Sequence, residues 1–468
     1  MSFKILLPHD STHAYKDYFF ADALDGSYRE GFIKGYSMPK IGRFLDWCSV
    51  HNVPVLGQLK SKLEELALAE LPAQPPAELV GPQSYSGVEL GLVTVNIFTP
   101  DYDIKQKRLD ALKARAEGWG IHAVHARHSR PPVEFQSSSF NIAIRHKLIT
   151  KALRAQIRVA KELCLTSPVL VLHCGYVKHK GLLEERIENT RANLAEALEE
   201  AEKLGVTLAI ENTQRTIGLP QTKRSLTRAR GIDIESIVRS YHIGSKPAEL
   251  IYLTDSLKSP RLKVCFDLGH ALTWTVGQAI KKGLSGSSLE AYLDDFGYAR
   301  DCIEALGKRI VWAHLHYNRS TELSAEELED PELFAQRQLY KMLRYKLAGF
   351  TSDEAWDQHL SLTHIPKKRI TAFSSLLAAL LTKSSILEFG SDTRLTLELF
   401  PLEIRFKLFE LLERYSSSFR LHGKTIFPNP LALLKLPFKK IYERARELYA
   451  YGSTHRDMLR SLSFFQSA

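Results

Sequence analysis

Nine residues of metal-ligand type recur at the ends of successive apolar runs: His125, His173, Glu211, Asp267, His270, His314, Asp357, His359 and Glu398. Histidine and carboxylate without cysteine favour an open catalytic site for Zn²⁺, or for Mn²⁺ or Fe²⁺, over a closed structural zinc site. Nine donors exceed what one ion needs. A carboxylate can bridge two cations, so a central glutamate with the other eight around it suits two or three ions that keep positions open for water and substrate oxygens. Clustered divalent ions suit displacement at a phosphodiester, because attacking oxygen, phosphoryl charge and leaving oxygen are stabilised together.

To converge, these side chains need a scaffold that ends many elements at one face. Lys4–His9, Leu90–Ile97, Ile121–His125, Val169–His173, Thr207–Glu211, Lys263–Asp267, Ile310–His314 and Leu395–Glu398 are eight candidate strands, mostly apolar and closing on a polar group. Helical stretches lie between them. In Leu183 to Leu204, for example, Ile187, Leu194, Ala197, Leu198 and Ala201 recur at helical spacing. Strand and helix alternating in this way force parallel pairing through crossovers, which predicts an α/β fold, a (β/α)8 TIM barrel. In such barrels the chemistry sits at the C-terminal strand ends, and all nine ligands fall at or just beyond them.

The expected barrel spans residues 1–415, with insertions at about 59–85, 320–349 and 360–390, and residues 416–468 form a basic helical C-terminal extension. The third insertion contains an expected buried helix, Ile370 to Leu387. The 468 residues are 44% apolar and 25% charged, ordinary for a globular protein. No apolar run is long enough to span a bilayer, and the opening Met-Ser-Phe-Lys-Ile-Leu-Leu-Pro lacks a signal-peptide core, so a cytoplasmic location is expected. Five cysteines without a C-x-x-C pair imply a reducing compartment. Cys174 and Cys265 each adjoin or precede a ligand and read as buried thiols.

The net charge of +10 suggests an anionic partner. Lys223, Arg224, Arg228 and Arg230 follow Glu211, on the face where the barrel gathers its ligands, and suit phosphate contacts of DNA; a solvated loop is the plain alternative.

The motifs Val-Leu-His173-Cys-Gly, Ala-Ile-Glu211-Asn-Thr, Val-Cys-Phe-Asp267-Leu-Gly-His270-Ala, Ala-His314-Leu-His-Tyr-Asn and Asp357-Gln-His359-Leu resemble those of the xylose isomerase-like barrels, and within them endonuclease IV. That resemblance implies a first zinc held by His125, His173 and Glu211. It implies a second held by Glu211 as bridge with Asp267, His314 and Glu398, and a third held by His270, Asp357 and His359. Glu211, Asp267 and Glu398 would be the catalytic carboxylates. The chain departs from the pattern at His316 and Gln358, in the long segment before Asp357, and in lacking a glycine-rich turn after His359.

The resemblance implies a metal-dependent phosphodiesterase acting on DNA, like an apurinic/apyrimidinic endonuclease of base excision repair. The alternative is a metal-dependent sugar or sugar-phosphate isomerase or epimerase, whose members resemble the chain through Glu211, Asp267, Glu398 and one histidine. A non-catalytic nucleic-acid-binding barrel is the third reading. His122, His128, His179, His316 and His364 read as hydrogen-bonded structural histidines. His270 has a second reading as the cap of the following helix.

Overall fold

A computed structural model describes residues 5–7, 87–92, 97–99, 101–116, 121–126, 135–136, 139–177, 180–214, 216–217, 238–319, 322–330, 333–334, 337, 357–388, 395–397, 419–421 and 424–426. Eight parallel strands close into a barrel: β1 (Ile5–Leu7), β2 (Gly87–Gly91), β3 (Ile121–His125), β4 (Val169–His173), β5 (Thr207–Glu211), β6 (Leu262–Asp267), β7 (Ile310–Leu315) and β8 (Leu395–Leu397). Each strand pairs with its chain neighbours and β1 closes on β8, so the TIM barrel expected from the sequence is present.

One expected strand is displaced. The β-branched run after Gly91 suggests Leu90–Ile97, but the strand is Gly87–Gly91, with Gly91 opposite His125 and Leu92 N donating to the His125 carbonyl at 2.8 Å. Pairing with β3 therefore ends at the ligand level, and Phe98 forms an isolated antiparallel bridge with Ile104. This register brings Glu89 into the interior, fully buried.

Helices α1 (Gln106–Ala116), α2 (Lys147–Leu163), α3 (Leu183–Leu204), α4 (Pro247–Leu257), α5 (Leu268–Lys281), α6 (Gly286–Asp294), α7 (Gly297–Leu306) and α8 (Ile370–Lys383) flank the barrel. Helix α3 buries Leu194, Ala197, Leu198 and Ala201 and stops at Gly205, whose φ of 70° is one that a glycine adopts without strain. Helix α8 buries Phe373, Leu376, Leu377 and Leu380 and packs on α7, so it stands as the outer helix between β7 and β8. Of the charged segment 320–349, the described helix is Ala325–Glu329. Where a helical tail is expected, Phe419–Leu421 and Lys424–Ile426 form an antiparallel pair of strands joined across two residues, the length of a tight hairpin connection. The expected insertion at about 59–85 lies outside the described residues. No helix among the described residues is long and apolar enough to cross a membrane.

Side chains two residues apart on a strand share a face, so each ligand has an interior neighbour one layer below it. Ala123, Val171, Ala209, Cys265 and Trp312 lie two residues before His125, His173, Glu211, Asp267 and His314, and with Val169 they form one buried cluster. This largely apolar layer floors the ligand level. Cys265 belongs to it and Cys174 to the outer core, both as buried thiols.

Candidate metal centre

The strand ends deliver their side chains to one place. Glu211 is fully buried, and its Oε2 lies 3.0 Å from His125 Nε2 and 3.1 Å from His173 Nε2. Its Oε1 lies 3.1 Å from His270 Nδ1 and 3.5 Å from His314 Nδ1. Asp267 ends β6 and caps α5 by accepting from His270 N at 2.6 Å through Oδ1, while Oδ2 sits 3.6 Å from His314 Nδ1. The helix-capping role considered for His270 thus belongs to Asp267.

Backbone carbonyls fix which ring nitrogen carries the proton. His125 Nδ1 is 3.0 Å from the Ala126 carbonyl and His270 Nδ1 is 2.8 Å from the Asn212 carbonyl. A carbonyl can only accept, so both rings are protonated at Nδ1 and turn Nε2 inward. Asn212 also clamps β6, accepting from Asp267 N at 2.7 Å and donating to its carbonyl at 2.8 Å.

Asp357 and His359 reach back across the long segment that precedes them. His270 Nε2 is 3.0 Å and His359 Nε2 2.8 Å from Asp357 Oδ2. Paired backbone bonds between Tyr317 and Leu360, both 2.8 Å, hold this segment beside the end of β7, and Asn318 donates to Asp357 Oδ1 at 2.9 Å. His359 takes a φ of 46°, uncommon outside glycine, which the surrounding bonds must enforce.

Three donor groups have atoms within 4.8 Å of one another: His125, His173 and Glu211; Glu211, Asp267 and His270; and His270, His316, Asp357 and His359. Because His270 commits Nδ1 to Asn212, we assign it to the outer group through Nε2. His314, with Nδ1 facing both Glu211 and Asp267, takes its place in the middle group. His316, read from sequence as structural, is a fully buried member of the outer group, where it stacks on His359 with ring centroids 3.9 Å apart. Its Nε2 lies 3.0 and 3.1 Å from the two Asp267 oxygens, so it orients that carboxylate. Gly269 makes room for it, since a Cβ there would fall 1.9 Å from His316 Cε1.

Burial opposes charge throughout, yet the imidazoles around Glu211, Asp267 and Asp357 outweigh it and hold all three carboxyls below the usual carboxylate range. Against the same burial, Glu211 raises His125, and Asp267 and Asp357 raise His270. His173 and His359 are lowered because burial wins. The donor set fits divalent cations. Inward lone pairs on His125 and His270 face carboxylate oxygens at about 3 Å. Such contacts need a proton or a cation between them, and roughly 3 Å is the edge of a ligand shell with 2.0–2.1 Å bonds.

Sequence reasoning missed Glu89, which accepts from Trp312 Nε1 at 2.9 Å and Thr396 Oγ1 at 2.7 Å and lies 3.0 Å from His314 Nε2. A single carboxylate inside an otherwise apolar strand was the available signal. His364 keeps its structural reading, paired with Arg319 at 3.1 Å, and His122 is half-buried on β3. Glu398, Lys223, Arg224, Arg228, Arg230, His128 and His179 lie outside the described residues.

The Xylose isomerase-like TIM barrel family matches residues 84–327, just over half of the chain. This chain belongs to that family. The family match covers β2 through β7 and hence His125, His173, Glu211, Asp267, His270 and His314. A relative from Methanocaldococcus jannaschii, the uncharacterized protein MJ1311, is 28% identical over 152 residues, 32% of this chain and 42% of the relative. The chain thus spans less than half the length of that relative. Among solved structures, a D-tagatose 3-epimerase-like protein has 18% identity and a TM-score of 0.37, covering 71% of this chain and 89% of its own. An L-ribulose 3-epimerase has 13% identity and a TM-score of 0.35, covering 83% and 91%. A D-psicose 3-epimerase has 11% identity and a TM-score of 0.35, covering 78% and 88%. These values leave the substrate to the geometry of this member's own site.

Proposed function

We propose that this family member is a multinuclear metal-dependent phosphodiesterase acting on DNA. The observation that supports it is the sharing of Glu211 between two adjacent donor groups, with a third group one histidine away. A sugar isomerase needs no such run of sites. Divalent cations bound there would polarise phosphoryl oxygens and offset charge on the attacking and leaving oxygens.

The chain's own residues prepare that site. Glu211 presents one oxygen to His125 and His173 and the other to His314 and His270. Asn212 and Ala126 lock two rings in the ligand tautomer. The buried layer beneath closes the inner side of the site. Among the described ligands His173 is the one with appreciable exposure, 16% of its side chain, so the centre opens toward solvent there. Zinc suits this His and carboxylate set, as do Mn²⁺ and Fe²⁺.

The second reading is a metal-dependent sugar or sugar-phosphate isomerase or epimerase. It is favoured by one observation: His314 Nδ1 faces both Glu211 and Asp267, and these three donors suffice for a single ion that polarises a carbonyl. The epimerases named above are of this class. The full chain, loaded with Zn²⁺ or Mn²⁺, should be assayed on a duplex carrying an abasic-site analogue and, in parallel, on a panel of ketoses. Strand cleavage without sugar interconversion is expected, and the converse overturns the proposal.

A further inference from the structure

Glu89 is a fully buried glutamate one layer below the ligands, on a strand that contributes no described ligand to the centre. A carboxylate there costs several kcal/mol unless donors satisfy it. Three do. Trp312 Nε1 can only donate, the Thr396 hydroxyl donates at 2.7 Å, and His314 Nε2 lies 3.0 Å from both carboxylate oxygens. An acceptor facing His314 Nε2 keeps the proton on that nitrogen, which leaves Nδ1 as the lone pair turned toward Glu211 and Asp267.

We infer that Glu89 is a positioning residue for the middle cation: it sets the tautomer and ring orientation of His314 and raises the basicity of its Nδ1. The inference rests on the metal-dependent reading and adds a residue that the sequence motifs do not contain. A purely structural glutamate predicts something different. Glutamine has the same shape and can still accept from Trp312 and Thr396, so a packing role survives Glu89→Gln, whereas bias on the His314 proton does not.

The test is a Zn²⁺ titration of cation-free full-length protein against a chelating indicator, for wild type and Glu89→Gln. One equivalent should weaken by about 10–100-fold while the others keep their affinity. Undiminished affinity at every equivalent overturns the inference. Because a variant can misfold, a second measurement uses the unmutated protein: ring ¹H–¹⁵N correlations with labelled histidine should show His314 protonated at Nε2. Protonation at Nδ1 overturns it. A chain that binds Zn²⁺ with this pattern but leaves phosphodiesters intact sinks the proposed reaction and not Glu89. A chain that binds no divalent cation sinks both.

Discussion

The Asn212 carbonyl lies 2.8 Å from His270 Nδ1, so the residue that follows the shared glutamate orients a ligand of the neighbouring site. The Asn212 amide meanwhile brackets both backbone groups of Asp267. One dipeptide, Glu211-Asn212, therefore supplies a ligand and holds two others. Asn212→Ala leaves a buried N–H and C=O of Asp267 without these partners, which should cost about 2–4 kcal/mol of stability. Denaturant unfolding of the cation-free protein checks it, and a loss under about 1 kcal/mol would mean that water or relaxation replaces the clamp.

Glu211→Gln is nearly isosteric but replaces a shared anion with a neutral amide, a poor bridge between cations. Turnover should be abolished and bound metal reduced, with the circular dichroism of the barrel retained. Wild-type turnover by this variant would remove Glu211 from the centre.

Acidity should oppose cation binding. Glu211 raises His125 above the ordinary histidine value, and Asp267 and Asp357 raise His270, so the cation-free centre stores protons where lone pairs are needed. The sign follows from linkage. A raised folded value contributes stability that is complete below the unfolded value near 6.5 and is lost as pH rises through the folded one. Cation uptake must displace whatever protons those imidazoles carry, so affinity should climb as pH rises through their raised values. Titration across a pH series measures this directly. Affinity that does not rise as pH climbs above the ordinary histidine value would contradict His125 and His270 as ligands.

Changing Lys223, Arg224, Arg228 and Arg230 to Ala should weaken duplex binding about equally for all sequences. Each lost phosphate contact should flatten the slope of log K against log salt by roughly 0.9. Unchanged affinity and slope in the four-fold variant would leave these residues no part in nucleic-acid binding.

The fold was legible because its strands close on polar groups: Val169–His173 and Thr207–Glu211 carry the whole signal of a buried parallel strand that ends at a site. For the same reason the sequence singles out His125, His173, Glu211, Asp267 and His314, which the structure brings together. Glu89 was not, because the β-branched run after Gly91 mimics a strand and shifts attention one register along; only pairing with β3 decides it. His316 shares the face of His314 by strand parity, yet a lone histidine beside a ligand has no sequence mark that separates support from bystander. Asp357 and His359 were found as residues, but their return to His270 depends on the Tyr317–Leu360 bridge, which no local pattern encodes.

The most direct test of the account is the number of metal ions bound by full-length protein purified without chelator, counted by elemental analysis against amino-acid composition. Three overlapping donor groups predict three ions per chain, the outer one lost together with His359→Ala. A single ion, retained in that variant, would contradict the multinuclear phosphodiesterase and leave the one-metal sugar isomerase in its place.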